Sequence, residues 1–264
     1  MNLLQCYLVK NECYKAARTM QPAGIVVHST GANNKTLKRY VQPTKQQTEH
    51  IGGKTRQEVI KLLGVNKYNN HWNRPGVHKC VSAFIGVLDN GSVATVQTLP
   101  WNMQTWGVGA GLRGSYNKSH IQFEICEDSL VDPTYFTKVF NEAAELCAYL
   151  CKKYSLSVDT IVSHAEVHRA GFGSNHSDPE HWMKRHGETM DSFRRKVSKL
   201  LNLTPFTVRV IAAALNVRSG PGTQHGIVTT IKDGGIYTIV DTKNGWGKLK
   251  SGIGWINLRY TKQI

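Results

Sequence analysis

The periodicity of the chain changes about sixty residues before its end, and this change constrains the fold more than any other feature. Residues 206–264 contain short β-type runs separated by Gly, Pro, Asp and Asn, without a helical period. Just before them, apolar residues recur at helical spacing over 190–201, and residues 202–205 supply a stop. The sequence therefore predicts two domains, 1–201 and a small all-β module at 206–264, joined by a linker at 202–205.

The first 201 residues alternate between strand-like and helix-like patterns. A long helix is predicted after an Asp132 N-cap, with Pro133 at its first position and apolar residues along one face. A shorter helical pattern covers 55–63, and Asn90 and Gly91 are typical of a hairpin turn. Five strands are predicted, at 24–30, 82–88, 92–99, 120–127 and 160–167. This mixture indicates an α/β domain.

The chain is strongly basic, with 33 Lys and Arg against 18 Asp and Glu and a net charge of +15. Both predicted domains contribute, since residues 1–204 carry +9 and residues 205–264 carry +6. Such a charge favours polyanionic partners, among which nucleic acid, anionic lipid and anionic cell-wall polymers all qualify. No helix-turn-helix, zinc-finger or ribonucleoprotein motif supports nucleic acid. No apolar run approaches the roughly 18 to 20 residues of a membrane span, which excludes an integral membrane protein.

Six cysteines would permit three disulfides. The N-terminal residues lack the basic segment and the apolar stretch of a secretory signal, so we expect reduced thiols. Cys147 and Cys151 lie four residues apart in an apolar helical pattern. They fit buried core thiols better than a metal pair, because no other cysteine lies at ligand spacing.

Three polar side chains lie within predicted strands or at their ends, and a fourth follows a loop. His28 and His164 each end an apolar run, and Asp178 follows a glycine-rich loop. Two imidazoles and one carboxylate would hold a catalytic Zn²⁺ with one position left open for water. The alternatives are that each His is a hydrogen-bonded structural residue and that Asp178 only caps the turn before Pro179. Glu124 lies in mid-strand, where a carboxylate serves either a site or a salt bridge, and next to a metal it fits a general base.

Several segments occur in a distinctive order and spacing, at 24–34, 71–76, 81–102, 120–128 and 162–182. Together they resemble the zinc-dependent N-acetylmuramoyl-L-alanine amidases of type 2, which share their fold with peptidoglycan recognition proteins. The resemblance covers nearly all of residues 1–200 and is typical of phage endolysins and autolysins. It implies a mixed central sheet flanked by helices.

The resemblance also implies roles for individual residues. His28, His164 and Asp178 would bind zinc, and Glu124 would deprotonate the attacking water. His176 occupies the position of a donor that shares the charge of the oxyanion. The scissile bond would be the amide between N-acetylmuramic acid and L-alanine of the stem peptide. One departure from the family pattern is Gly107, where relatives often carry a His, and we expect it to alter substrate contact rather than abolish zinc binding.

The C-terminal module resembles the bacterial SH3-like domains of cell-wall hydrolases, above all in 215–231 and 244–260. Its aromatic residues either form a stacking surface for peptide or glycan or fill the small core; they are Tyr237, Trp246, Trp255 and Tyr260. The expected partner is peptidoglycan, with anionic wall polymers in addition, and neither nucleic acid nor membrane insertion. We expect a protein without a signal peptide, made in the cytoplasm and acting on the cell wall after release. The alternative function is a non-catalytic peptidoglycan-recognition protein.

Overall fold

The computed structural model describes residues 1–202, 205–243 and 245–264. The chain forms two compact units, Met1–Val197 and Ser198–Ile264. Residues 203 and 204 of the predicted linker lie outside the described residues, and residue 202 ends a helix. The domain limits of 1–201 and 206–264 therefore stay a prediction.

The first unit contains a six-stranded mixed sheet. Its strands are β1 (Leu3–Gln5), β2 (Gly24–Ser29), β3 (Ala83–Val87), β4 (Val93–Gln97), β5 (His120–Ile125) and β6 (Ile161–Ser163). The strand order is β1-β4-β3-β5-β2-β6, and only the β3–β4 pair is antiparallel. The helices are α1 (Glu12–Ala16), α2 (Arg56–Leu63), α3 (Pro133–Tyr154), α4 (His164–Arg169), α5 (Glu180–Arg185) and α6 (Met190–Asn202). The mixed α/β class is confirmed.

Local signals account for the best-predicted elements. The side chain of Asp132 accepts hydrogen bonds from the N–H groups of Thr134 and Tyr135, which fixes the start of α3. The apolar face of α3 is buried, and the helix packs against β3 and β4. The hairpin between these strands turns at Gly91, whose φ of 83° is one that glycine adopts without strain. These predictions are confirmed.

The predicted strand at 160–167 is wrong in its second half, because β6 ends at Ser163 and α4 begins at His164. The Ser163 hydroxyl accepts a hydrogen bond from the Glu166 N–H, and the Glu166 carboxylate accepts one from the Ser163 N–H, at 2.9 Å each. This capping box satisfies two backbone donors at once and starts a helix where the apolar run alone favours a strand. His164 therefore lies in the first turn of a helix.

The expectation that all six cysteines are reduced is wrong for Cys13 and Cys80, which form a disulfide. Asn11 caps α1, and its side-chain amide donates to the carbonyl of Lys79 at 3.0 Å. This contact places Cys13 beside Cys80, with their Cα atoms 6.3 Å apart, a separation that a disulfide spans. Cys147 and Cys151 are buried free thiols, as predicted.

The second unit is an antiparallel seven-stranded sheet, which confirms the all-β module. Its strands are β7 (Phe206–Val210), β8 (Leu215–Arg218), β9 (Ile227–Ile231), β10 (Ile236–Lys243), β11 (Trp246–Leu249), β12 (Trp255–Asn257) and β13 (Thr261–Gln263). Their order is β13-β7-β10-β11-β12-β8-β9.

Aliphatic side chains form the core of the second unit, with Val208, Val217, Ile239 and Ile256 among its buried members. Of the four aromatic residues singled out above, Trp246 is buried and Tyr260 is exposed, so the set divides between the interior and the surface. Tyr237 packs against the core, and its hydroxyl donates to Asp233 at 3.0 Å. Across the described parts of both units, none of the helices combines the length and apolar character that crossing a bilayer requires.

Candidate functional site

The carboxyl ends of three neighbouring parallel strands assemble the site. His28 on β2 and Glu124 on β5 are direct partners in the parallel register. On the other side of β2, the strand β6 ends one residue before His164. Because parallel strands end at the same edge of a sheet, residues from distant parts of the chain meet there. Asp178 reaches this edge from the loop that follows α4.

Three of the predicted residues form one cluster. The Nδ1 atoms of His28 and His164 lie 3.1 and 3.3 Å from the two carboxylate oxygens of Asp178. One potential ligand atom from each residue lies within 4.8 Å of the others. Asp178 also accepts a hydrogen bond from the Ser29 N–H at 3.3 Å. Pro179, the N-cap residue of α5, makes no side-chain cap, and the carboxylate of Asp178 instead faces the two imidazoles.

All three members of the cluster are buried, with exposed fractions of 1% for His28, 3% for His164 and 8% for Asp178. Burial opposes ionisation of Asp178, but the hydrogen bonds and charges of His164 and His28 outweigh it and hold the pKa of this carboxyl well below its usual range. A buried carboxylate between two imidazoles requires positive charge nearby. That charge comes either from protons on the rings or from a cation.

The donor set fits Zn²⁺. Nitrogen and oxygen donors in a two-His, one-Asp set match the preference of this ion, and three protein ligands leave a fourth position open. Each imidazole also uses its second nitrogen: His28 Nε2 lies 3.0 Å from Gln122 Oε1, and His164 Nε2 lies 3.4 Å from Ser174 Oγ. Such outer contacts are typical of metal-binding histidines, because they leave the inner nitrogen free for the ion.

Glu124 lines the same cleft. Its Oε2 atom is buried and has no hydrogen-bond partner among the described residues. Burial raises the pKa of Glu124 well above its usual value, and the negative charges of Asp178 and Glu127 raise it further, while Lys79 lowers it. A divalent cation at the adjacent cluster would offset the charge of Asp178 and favour the ionised carboxylate that a general base requires.

His176 lies beside the cluster. Its ring stacks on that of His164 with the centroids 4.4 Å apart, and its Nδ1 atom lies 3.1 Å from Ser174 Oγ. His176 is exposed to the cleft. All five residues predicted from the sequence are therefore brought together. His168, four residues beyond His164 on α4, is not part of the cluster and contacts the Gly173 carbonyl at 3.3 Å.

The cleft has a volume of about 380 Å³. Several of the residues that line it were not predicted from the sequence as site residues. Trp72 and Trp106 supply apolar surface, and the ammonium group of Lys79 lies 4.9 Å from the centre of the Trp72 ring. Glu127 accepts a hydrogen bond from Ser29, and its Oε1 lies 3.2 Å from His181 Nε2. Most of these residues lie in loops or at strand ends, where periodicity carries no signal, and His181 lies on the short helix α5.

The family described as N-acetylmuramoyl-L-alanine amidase matches residues 18–181, and the family described as bacterial SH3 domain matches residues 213–262. The chain is 34% identical over 108 residues to a "Probable N-acetylmuramoyl-L-alanine amidase" of Bacillus licheniformis, a match that covers 41% of this chain and 27% of that protein. It is 33% identical over 90 residues to the N-acetylmuramoyl-L-alanine amidase CwlL of the same organism, covering 34% of this chain and 22% of the relative. The chain thus spans about a quarter of the length of these relatives.

Two solved structures are also similar. The catalytic domain of XlyA has a TM-score of 0.49 and 21% identity, over 75% of this chain and 99% of that one. The Staphylococcus aureus hydrolase AmiA in complex with its ligand has a TM-score of 0.45 and 24% identity, over 67% of this chain and 71% of that one. The family match covers more than half of the chain and includes all five site residues. The chain therefore belongs to the N-acetylmuramoyl-L-alanine amidase family.

Proposed function

We propose that this chain is a zinc-dependent amidase that hydrolyses the bond between the lactyl group of N-acetylmuramic acid and L-alanine of the peptidoglycan stem peptide. One observation carries the proposal: His28, His164 and Asp178 converge in a cleft that also contains Glu124, in a chain of the amidase family. His28, His164 and Asp178 would hold the ion. A non-catalytic recognition protein has no need for Glu124, because a buried carboxylate oxygen without a hydrogen-bond partner among the described residues costs stability unless it has a task.

A bound Zn²⁺ would supply Lewis acidity to the scissile carbonyl and the attacking water. Glu124 takes a proton from that water as its oxygen bonds to the carbonyl carbon. When the C–N bond breaks, Glu124 returns the proton to the departing amine of alanine, and the muramoyl product leaves as a carboxylic acid. His176 donates a hydrogen bond to the carbonyl oxygen as negative charge develops there. Trp72 and Trp106 flank the substrate and exclude water.

The proposed partner of the second unit is also peptidoglycan. Its match to the bacterial SH3 family and the +6 charge of residues 205–264 favour a role in holding the catalytic unit at the cell wall, where anionic wall polymers add a long-range attraction. The site of action would then be the cell wall. The same charge needs no nucleic-acid partner to explain it.

The test is digestion of purified cell walls by the full chain, with new N-terminal alanine as the readout and zinc content measured in parallel. We expect about one Zn²⁺ per chain and loss of alanine release on chelation. The variant His164→Ala should lose both. The matched control is His168→Ala, which removes an imidazole from the same helix but not from the cluster, and should retain both.

Other outcomes contradict the proposal in separate ways. Zinc that stays bound in His164→Ala would overturn the ligand assignment. Release of reducing sugar in place of alanine would indicate a glycosidase. A zinc-loaded protein that binds walls without releasing either product would favour the recognition function.

A further inference from the structure

Two side-chain amides, the buried Gln122 and the half-buried Asn117, form a hydrogen-bonded series from the His28–His164–Asp178 cluster into the neighbouring loop. His28 Nε2 lies 3.0 Å from Gln122 Oε1, and Gln122 Nε2 donates to Asn117 Oδ1 at 3.0 Å. Gln122 points to the same side of β5 as Glu124 and is fully buried. Both the carbonyl oxygen and the NH₂ group of a buried side-chain amide need hydrogen-bond partners, and in Gln122 each of them has one.

The contacts of Asn117 decide which atom donates and which accepts in each of these hydrogen bonds. Asn117 Oδ1 also accepts hydrogen bonds from the backbone N–H groups of Gly107 at 3.0 Å and Val108 at 3.1 Å. Asn117 Nδ2 donates to the Gly109 carbonyl at 3.2 Å. Because backbone N–H groups only donate, Asn117 Oδ1 is the acceptor, and the side chain of Gln122 must turn its NH₂ group toward it. The oxygen of Gln122 therefore faces His28.

This orientation selects one tautomer of His28. An imidazole nitrogen that faces a carbonyl oxygen must carry the proton, so Nε2 is the donor to Gln122. The Nδ1 atom faces Asp178, where a carboxylate oxygen lies 3.1 Å away. In the neutral ring that has its proton on Nε2, this Nδ1 atom carries the lone pair. Two electron-rich atoms at that distance repel each other unless a proton or a cation lies between them. The amide chain thus prepares the Nδ1 atom to bind a positive ion.

We propose that Gln122, supported by Asn117, is the positioning residue that holds His28 in its metal-binding orientation and tautomer. The inference rests on the proposed function, since it concerns a histidine that would hold zinc. It goes further by assigning a task to a residue outside the ligand set and outside the general base. Outer partners of metal-binding histidines typically affect metal affinity by about 10- to 100-fold.

The same contact explains the glycine at position 107. A Cβ atom on Gly107 would lie 2.3 Å from Gln122 Oε1 and 3.2 Å from Val81 Cγ1. A contact of 2.3 Å is far inside van der Waals distance, so any larger residue at 107 would push the amide of Gln122 away from His28. The requirement is for space rather than for a special backbone conformation. Gly107 and Gln122 therefore form a matched pair, and the side chain that fills the space beside His28 comes from β5.

The first test compares zinc affinity, measured by competition with a chromogenic chelator, in the full chain and in Gln122→Leu. We expect binding about 10- to 100-fold weaker, because leucine has similar volume but accepts no hydrogen bond from His28. The matched control is Gln97→Leu, which removes another buried strand glutamine whose amide donates to Tyr7 and the Leu99 carbonyl. Its zinc affinity should match that of the unmodified chain even if its stability falls.

The second test uses the pair. Gly107→Ala should weaken zinc binding by a similar factor while Gln122 is present. The double variant Gly107→Ala with Gln122→Ala should bind zinc as well as Gln122→Ala alone does. The alanine at 107 costs nothing there, because Gln122 Oε1, the atom that it would collide with, is gone. This cycle keeps the inference testable if Gln122→Leu folds poorly.

A third readout is the imidazole proton itself. In the zinc-loaded protein, nitrogen-15 spectra should show the proton of His28 on Nε2, in slow exchange with water, and the exchange should become faster in Gln122→Leu. Zinc binding that is unchanged in Gln122→Leu, or a proton found on Nδ1, would overturn the inference and leave the proposed amidase intact. Failure of the unmodified chain to bind zinc would overturn both.

Discussion

Glu124 and Asp178 are two buried carboxyl groups in one cleft, and their surroundings push their pKa values in opposite directions. The pKa of Asp178 is lowered by the two imidazoles, whereas that of Glu124 is raised by burial and by the charge of Asp178 itself. Two acids separated in this way suit different tasks, one as a permanent anion and one as a group that exchanges a proton. Gln122 adds a third kind of residue, a neutral amide that holds a ligand in place.

For the single residue Glu124, we predict that Glu124→Gln folds and binds zinc. Its rate of alanine release should fall by roughly 10²- to 10⁴-fold, because an amide keeps the shape of the site and accepts no proton. The metal-free variant should be at least as stable as the unmodified chain, since it no longer buries a carboxyl oxygen that has no hydrogen-bond partner among the described residues. Rate, zinc content and thermal midpoint are the three measurements.

The control for this variant is Glu49→Gln, which makes the same chemical change at an exposed position. Its rate should be unchanged. A rate for Glu124→Gln within a few-fold of the unmodified chain would move the general-base role to another group, with His176 the next candidate in reach of the cleft.

Among the elements, α4 decides the geometry of the site, because His164 lies in its first turn. The junction between β6 and α4 is set by the capping box of Ser163 and Glu166. Ser163 also donates to Glu180 at 2.5 Å, and Arg194 contacts Glu166 at 3.1 Å, so the start of this helix is tied to both α5 and α6. A six-residue helix has little stability of its own and depends on such contacts.

We predict that Ser163→Ala lowers the free energy of unfolding by about 1 kcal/mol, the usual cost of losing an N-cap. It should also weaken zinc binding by roughly 10-fold, because the first turn of α4 places His164. Thr55→Ala is the matched control, since Thr55 and Glu58 form the same capping box at the start of α2, which carries no cluster residue. Chemical denaturation and chelator competition on both variants check this.

For Thr55→Ala we expect a similar loss of stability and unchanged zinc affinity. If both variants bind zinc equally well, the capping box of α4 has no bearing on the site and serves stability alone.

The disulfide joins α1 to the segment that leads into β3. Its Cys80 follows Lys79, whose side chain lines the cleft, and the backbone of Cys80 pairs with that of Trp106 across the same wall. This cross-link spans 67 residues of sequence. Closing a loop of that length removes conformational freedom from the unfolded chain, which stabilises the fold.

We predict four reactive thiols in the denatured, unreduced chain, because two of the six cysteines are paired. Cys13→Ser should raise this count to five by freeing Cys80, and should lower the free energy of unfolding by about 2–4 kcal/mol. In the control Cys147→Ser the count should fall to three, since a free thiol is removed. Thiol titration in denaturant gives these numbers, and six thiols in the unmodified chain would contradict the disulfide.

On the scale of the whole molecule, the proposed chemistry and the proposed wall attachment belong to different units. Every cluster residue lies in the unit Met1–Val197, whereas the SH3 match lies in the unit Ser198–Ile264. Tethering by a second binding unit raises the local concentration of a catalytic unit at an insoluble substrate, commonly to the mM range for a short linker. It leaves the reaction with a small soluble substrate unaffected.

We therefore predict that residues 1–204 alone release alanine from a soluble muropeptide as fast as the full chain does, but digest intact walls more slowly. The difference should shrink as salt is added, because exposed charges are screened beyond about 8 Å at physiological ionic strength. Rates on both substrates across a salt series are the measurement. Equal wall digestion by both proteins at every salt concentration would assign attachment to the +9 charge of the first part instead.

Local patterns were sufficient for much of the fold. Asp132 with Pro133 predicted the start of α3, Gly91 predicted the hairpin, and the lack of helical period predicted an all-β second unit, because each signal lies within a few residues of the structure that it determines. The cluster residues were also identified in advance, from their places at the ends of apolar runs and from the family resemblance.

Only the tertiary structure decided what surrounds those residues. The Cys13–Cys80 disulfide and the contact of His28 with Gln122 join residues far apart in sequence. The contacts of Gln122 with Asn117 and with the space at Gly107 join nearer residues, but they depend on the path of the loop that leads into β5. Hydrophobic period records which face of an element is buried, but it does not record which polar groups meet there. Contacts between those polar groups depend on strand order and on the paths of the loops. Strands β2, β5 and β6 lie side by side only once the sheet has formed.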